Sequence, residues 1–380
     1  MDPRIDRSVR NKSVPKAKSS KGSILGNLVL VAMSILFSVV MIEVALSFFP
    51  EYQVKKREAD YVFCGEVQGK YRMHPVYGYT EQPGISYFER SNEADPWIYV
   101  RINQDGFRDN WTHHGEDVLV LGDSFTRGSL VNEDEIYTSL LNEWRPDMSF
   151  RNLGMGGYGQ ANTLKIYEDV GKMPHRLVVQ QITLINDLDD NAERAKIEGG
   201  KLILNVNPQK DKKKKEGNLV QKTHNVLWNY TNLYPIMFNN FVKPNFGYWD
   251  ARKNIDGAIE LTRMLLHELA EEAKANDADL LLLVLPSWEE MSGIDSGMEP
   301  QRQREMLKGL AAEMPNVFLL DLTPAVAVND LDRVYGINDK HMTAFGHYLI
   351  ARELNSWMSK EWPRGAGSLA QGDQDFVVRE

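Results

Sequence analysis

One cysteine, Cys64, stands in 380 residues, so the chain cannot close an internal disulfide and its redox compartment cannot be read from cysteine usage. A lone thiol of this kind is expected to be a small, partly buried residue. Excess positive charge is also missing: the formal net charge is −9, which argues against a nucleic-acid binder, whose domains carry a basic face. No internal repeat, no His/Cys/Asp/Glu cluster with metal-ligand spacing and no phosphate-cradling glycine loop is found. The chain therefore points to no metal, no cofactor and no nucleic-acid partner. What it does have is 42% apolar residues and an ordinary charged fraction, enough for one large α/β domain with appendages.

The positive charge that is present is concentrated at one end. Residues 1–21 carry seven basic groups against two acids, and "GSILGNLVLVAMSILFSVVMI" follows, Gly22 to Ile42, without a single charge. At about 1.5 Å per residue this run spans roughly 30 Å, the hydrocarbon thickness of a bilayer. Glu43 closes it where a carboxylate reaches the headgroups. A cleaved signal peptide has a shorter apolar region and small residues at its cut site; here "LSFFPEY" follows instead. The reading is an uncleaved signal anchor over 22–49 with residues 1–21 as a cytoplasmic tail, which places the remainder in the periplasm or outside the cell. The oligomeric state is not legible.

Residues 50–115 read as a stalk and a small β-rich lead-in, with "WIYVRI" alternating and "NQDG" turning the chain. From 116 to 362 apolar strands alternate with helical stretches. Asn132 and Glu135 form a capping box expected to open the helix "EDEIYTSLLNEW". Ile259, Thr262, Leu265, Leu266 and Leu269 make one helical stripe, and "ADLLLLVLP" is apolar throughout, as in a strand covered on both faces. The expected fold is a doubly wound α/β domain with a mostly parallel sheet. Residues 191–252 interrupt the pattern as an insertion without a clean strand. Their aromatics can line a substrate groove, face the membrane, or fill core. Residues 363–380 read as a disordered tail.

In open α/β sheets ligands bind beyond the carboxyl ends of the strands. Four segments place polar groups there: Asp123-Ser124, the loop Gly154-Met155-Gly156-Gly157, Asn186-Asp187, and "DKHMTAFGH" with Asp339 and His341. Together they supply a hydroxyl, flexible backbone, an amide, a carboxylate and an imidazole. A serine hydroxyl needs a base to take its proton, and attack on an ester carbonyl builds an oxyanion that needs preplaced N–H donors. Asp339 is suited to orient His341.

The blocks "GDSFTRG", "NLGMGGYGQ", "INDLDDN" and "DKHMTAFGH" resemble the four blocks of the SGNH (GDSL-type) esterase and acyltransferase superfamily, over roughly Asp117 to Trp357. The lead-in "YGYTEQPG…VRINQDGFRD" is similar to the segment before this domain in membrane-anchored bacterial members. The resemblance implies a flavodoxin-like three-layer domain with Ser124 as nucleophile, His341 as base and Asp339 as its orienting acid. It also implies an oxyanion hole from the amides of Ser124 and Gly157 and the Asn186 side chain. His347, a turn into the last helix, is the rival imidazole and reads as packing. The sequence departs from the family pattern in having Phe125 for leucine and one residue, Lys340, between acid and base. The expected activity is hydrolysis of O-acyl, chiefly acetyl, esters on cell-surface carbohydrate through an acyl-serine. O-acyl transfer to an exported polysaccharide and a catalytically idle glycan-binding module are the alternatives.

Overall fold

The computed structural model describes residues 21–48, 60–65, 69–91, 95–112, 117–206, 223, 226–227, 231–237, 251–337, 339–362 and 364. The basic tail, the C-terminal tail beyond 364 and most of the aromatic stretch 207–250 lie outside them.

Helix α1, Lys21–Leu46, contains a 21-residue segment, Gly26–Leu46, long and apolar enough to cross a membrane, with none of it buried by the rest of the chain. Its exposed leucines, valines and phenylalanines have no protein core to enter, which is the property a lipid-facing surface requires. Glu43 does not stand free at its end. Its carboxylate accepts the backbone N–H groups of Asn232 and Leu233, the latter at 2.9 Å, so α1 is tied to the insertion.

The lead-in comprises β1 (Asp60–Phe63), β2 (Tyr71–His74), β3 (Gly78–Glu81), β4 (Ser86–Arg90) and β5 (Ile98–Arg101). β2 and β3 form an antiparallel hairpin, and β1, β4 and β5 form an antiparallel sheet in the order β1-β4-β5. Alternation sends Tyr87, Ile98 and Val100 inward, while Phe88 and Tyr99 pair on the outer face. Cys64 is exposed rather than partly buried, because it follows β1 at a turn outside this small core.

The main domain runs β6 (Asp117–Leu121), α2 (Ser124–Arg127), α3 (Tyr137–Trp144), β7 (Ser149–Asn152), α4 (Gln160–Val170), β8 (His175–Thr183) and α5 (Asp187–Arg194). It continues through β9 (Ala195–Glu198), β10 (Lys201–Leu204), α6 (Leu233–Met237), α7 (Ile255–Ala275), β11 (Asp279–Leu285), α8 (Trp288–Met291) and α9 (Pro300–Glu313). β12 (Val317–Asp321), α10 (Thr323–Ala327), α11 (Leu331–Val334) and α12 (Ala344–Lys360) complete it. Five strands form one parallel sheet in the order β12-β11-β8-β6-β7. Strand direction and order are those of a doubly wound domain, and the winding reverses between β6 and β8.

Both sheet faces are covered. Leu280, Leu282 and Val284 face a core shared with α4, α7 and α9, and Leu281, Leu283 and Leu285 face a second core under α3 and α12. This is why the β11 sequence shows no polar alternation. The helical stripe of α7 buries Thr262, Leu265, Leu266 and Leu269.

Two local expectations are corrected. The capping box of Asn132 and Glu135 is formed, but it opens only a three-residue 3₁₀ turn, Glu133–Glu135. Ile136 then takes extended backbone (φ −66°, ψ 136°), so α3 starts afresh at Tyr137. The insertion does contain strands: β9 and β10 pair across the two-residue turn Gly199-Gly200, with φ of 58° and 75°, a conformation that glycine alone adopts freely at both positions.

Candidate active site

The buried strand β6 ends where it does because the next residues turn the chain into a helix. Asp123 caps α2, its carboxylate accepting the Phe125 amide at 2.8 Å, while its own amide donates to Gln181 Oε1 at 3.0 Å. Gly122 is required by space: a Cβ there would meet Thr126 Oγ1 at 2.2 Å and Gln181 Oε1 at 2.4 Å. Thr126 donates to Gln181 Oε1 at 3.1 Å, and Asn152 Nδ2 donates to the Thr126 carbonyl at 2.7 Å. The turn after β6 is thus held by β7 on one side and β8 on the other. Ser124 lies at the reversal point of the sheet.

His341 comes to the same place from the loop before α12. The loop is closed by the Gly336 amide donating to the His341 carbonyl at 2.7 Å and by Thr343 capping α12. His341 Nε2 lies 2.7 Å from Ser124 Oγ. On the far side of the ring, Nδ1 is 3.3 Å from Asp339 Oδ2, within ion-pair reach but not aligned as a hydrogen bond. Asp339 Oδ1 accepts the His341 amide at 3.0 Å, and Oδ2 accepts the Ser91 hydroxyl. Burial would raise the Asp339 pKa, but hydrogen bonding, His341 and Ser91 outweigh it and hold the carboxyl below its ordinary range. The one-residue spacing between acid and base is met by Lys340 adopting left-handed backbone, φ 65°, with its ammonium 3.8 Å from the centre of the Trp288 ring.

The donors expected for an oxyanion are disposed unequally. The Ser124 and Gly157 amides have no hydrogen-bond partner among the described residues. The Tyr79 hydroxyl donates to the Gly156 carbonyl at 2.6 Å, and in a trans peptide this aims the Gly157 N–H the opposite way. Gly156 is the closer glycine to Ser124: a Cβ on it would sit 3.9 Å from Ser124 Cβ. Asn186 lies three residues beyond the end of β8, at the N-cap position of α5. Its Nδ2 donates to Asp190 Oδ2 at 3.2 Å and to Asp123 Oδ2 at 3.5 Å, and its buried Oδ1 has no partner. Burial raises the pKa of Asp123, and burial together with the Asp123 charge raises that of Asp187.

A cavity of about 200 Å³ opens over Ser124, lined by Gly156, Asp339 and His341 on one side and by Tyr61, Lys70, Tyr71 and Ser91 of the lead-in on the other. Gly157 and Asn186 are not among its lining residues. A larger, open groove of about 610 Å³ runs past Tyr99, Arg101 and Trp111, but it holds neither Ser124 nor His341. His347 is buried: its Nδ1 accepts the Tyr137 amide at 3.3 Å and its ring stacks on Tyr137, so it packs, as the sequence indicated. Burial pushes its pKa down to about 3.

Sequence reasoning missed the ionic network behind Ser124. Arg127, three residues after Ser124, is buried. It donates to Glu81 Oε1 at 2.5 Å, Glu89 Oε1 at 2.8 Å and the Tyr87 hydroxyl at 2.6 Å. Lys70 donates to Glu89 Oε2 at 3.0 Å. Burial would raise the Glu89 pKa, yet the Arg127 and Lys70 charges hold it well below the carboxylate range. The signal was present: one arginine among apolar and hydroxyl residues in "GDSFTRG", and two glutamates in an alternating lead-in.

No protein-family model and no curated protein matches the chain. Three solved structures illustrate what it is similar to. A member of the lipolytic G-D-S-L family from Veillonella parvula is 14% identical, with 65% of this chain and 100% of that chain covered and a TM-score of 0.39. An acetylxylan esterase from Geobacillus stearothermophilus is 17% identical, covering 66% and 97%, at a TM-score of 0.39. A psychrotrophic esterase from Pseudoalteromonas is 12% identical, covering 64% and 97%, at 0.36.

Proposed function

We propose that this chain is a membrane-anchored serine esterase of SGNH type that hydrolyses O-acyl esters, chiefly acetyl groups on cell-surface carbohydrate. The observation that carries the reading is the 2.7 Å contact between Ser124 Oγ and His341 Nε2, with Asp339 on the other side of the ring. A serine at the switch point of a parallel sheet, in contact with an imidazole and beside unpaired amides, has the parts that acyl transfer needs.

In the proposed reaction His341 Nε2 takes the Ser124 proton as Oγ attacks the ester carbonyl. The amides of Ser124 and Gly157 and the Asn186 side chain receive the developing oxyanion. His341 then gives its proton to the leaving sugar oxygen. Water, deprotonated by the same imidazole, attacks the acyl carbonyl, and the imidazolium returns that proton to Ser124 Oγ as the acid leaves. Asn186 must turn its amide from Asp190 toward the oxyanion, a rotation about its own side-chain bonds that breaks no helix-capping bond. The anchor α1, with a basic stretch before it, fits an active domain on the periplasmic or outer face, near exported glycan.

The test is release of acetate from acetylated glycan by the purified full chain in detergent, with and without a sugar acceptor. Acetate release that requires Ser124 supports the esterase. Loss of acetate release in favour of acetylated acceptor makes the enzyme an O-acyltransferase through the same acyl-serine. No turnover and no uptake of a fluorophosphonate probe would leave a glycan-binding module.

A further inference from the structure

The acid of the Ser124–His341–Asp339 set is held by a residue from outside the main domain. Ser91 directly follows β4 of the lead-in, 248 positions from Asp339 in sequence, and lines the same cavity as Ser124 and His341. A carboxylate has no hydrogen to give, so in this contact the Ser91 hydroxyl donates and Asp339 Oδ2 accepts. Oδ1 is held by the His341 amide at 3.0 Å. The two oxygens are thus fixed from opposite directions, one by the loop that carries the base and the other by the lead-in. Oδ2 is also the oxygen nearest His341 Nδ1, at 3.3 Å and poorly aligned. The His–Asp contact is consequently the loosest link of the set. Besides the Oδ1 bond to the His341 amide, the Ser91 hydroxyl is the one hydrogen bond among the described residues that holds the carboxylate against rotation about the Asp339 side chain.

We infer that Ser91 is a positioning residue for the esterase reaction: its hydroxyl, delivered by the lead-in sheet, locks the Asp339 carboxylate in the rotamer that faces His341. The lead-in is then part of the catalytic apparatus rather than a spacer between anchor and enzyme. The inference rests on the serine-esterase reading. A residue acting in this way changes the chemical step through Asp339 and leaves substrate binding alone. A residue that only fastened the lead-in would change stability and act independently of Asp339.

The experiment uses the full chain in detergent with p-nitrophenyl acetate as substrate. Ser91→Ala should lower kcat about tenfold with KM changed less than about twofold, the scale on which outer-shell partners act. Ser91→Thr and Ser91→Val, nearly equal in volume and differing in the hydroxyl, separate hydrogen bonding from packing: Thr should restore most of kcat and Val should not. In an Asp339→Ala background, removing Ser91 should cost nothing further. The inference is overturned if Ser91→Ala and Ser91→Val match the parent. It is equally overturned if Thr and Val are impaired alike, or if the loss persists undiminished without Asp339. A parent chain whose turnover does not depend on Ser124 defeats the esterase reading, and this inference with it.

Discussion

Removing Arg127 should unfold the site from behind. Its guanidinium is buried and serves Glu81 and Glu89 together. In Arg127→Ala, Glu89 keeps Lys70 at 3.0 Å, but Glu81, whose side chain has no exposed surface, keeps only Lys70 at 3.9 Å and the Tyr87 hydroxyl at 2.6 Å. Breaking a buried pair by deleting one partner costs about 3–5 kcal/mol, because the surviving charge is left uncompensated. For a domain of this size that is a fall in Tm of about 10 °C, read by circular dichroism of the full chain in detergent. The loss should be smaller in Arg127→Met combined with Glu81→Gln, which removes the orphaned charge with its partner. There is a pH consequence. Glu89 has a depressed pKa, so its stabilising contribution is present above its unfolded value, near 4.5, and is lost as pH falls below it. The parent should therefore lose stability in acid more steeply than Arg127→Ala, in which the larger cause of the depression is gone and only Lys70 remains beside Glu89. An Arg127→Ala chain with the parent's Tm would refute this account of how the helix that starts at Ser124 is held.

Asn186→Ala should lower kcat by roughly 10²–10³, about 2.7–4 kcal/mol in the barrier, and also lower Tm, since Asp123 and Asp190 lose a donor; a lower Tm at unchanged kcat would reduce Asn186 to a helix cap. Tyr79→Phe removes the hydroxyl on the Gly156 carbonyl and should reduce kcat about tenfold at near-constant KM, measured on p-nitrophenyl acetate. His347 is kept neutral in the fold with its pKa pushed down to about 3, so the unfolded chain binds the extra proton below about pH 6.5; stability should fall by about 1.4 kcal/mol per pH unit there, and His347→Gln should flatten that slope in pH-dependent melts. A reporter fused after Glu380 should be active only outside the cytoplasm; cytoplasmic activity would reverse the orientation proposed for α1.

The sheet and the Ser124–His341 contact were legible because their signals are local. Leu280 to Leu285 read as a strand covered on both faces, and Ser124 follows the apolar run of β6. The hairpin of β9 and β10 had its signal too, Gly199-Gly200 between alternating residues, but it sits beside a lysine-rich stretch that reads as loop. The capping box was read correctly and its helix was not, since the extended backbone of Ile136 depends on the buried packing of that side chain. Least legible were Lys70, Glu81, Glu89 and Ser91. In an alternating strand such residues look like the solvated face, and only the fold brings Arg127 and Asp339 to them.

Whether Ser124 is a nucleophile is tested most directly by treating the full chain with a fluorophosphonate and locating the adduct by mass spectrometry, with turnover of p-nitrophenyl acetate measured on the same samples. The account predicts a single phosphonylated residue, Ser124, with labelling and turnover both abolished in Ser124→Ala and strongly slowed in His341→Ala. Turnover by Ser124→Ala at the parent rate, or an adduct on a different serine that accounts for the activity, would contradict it.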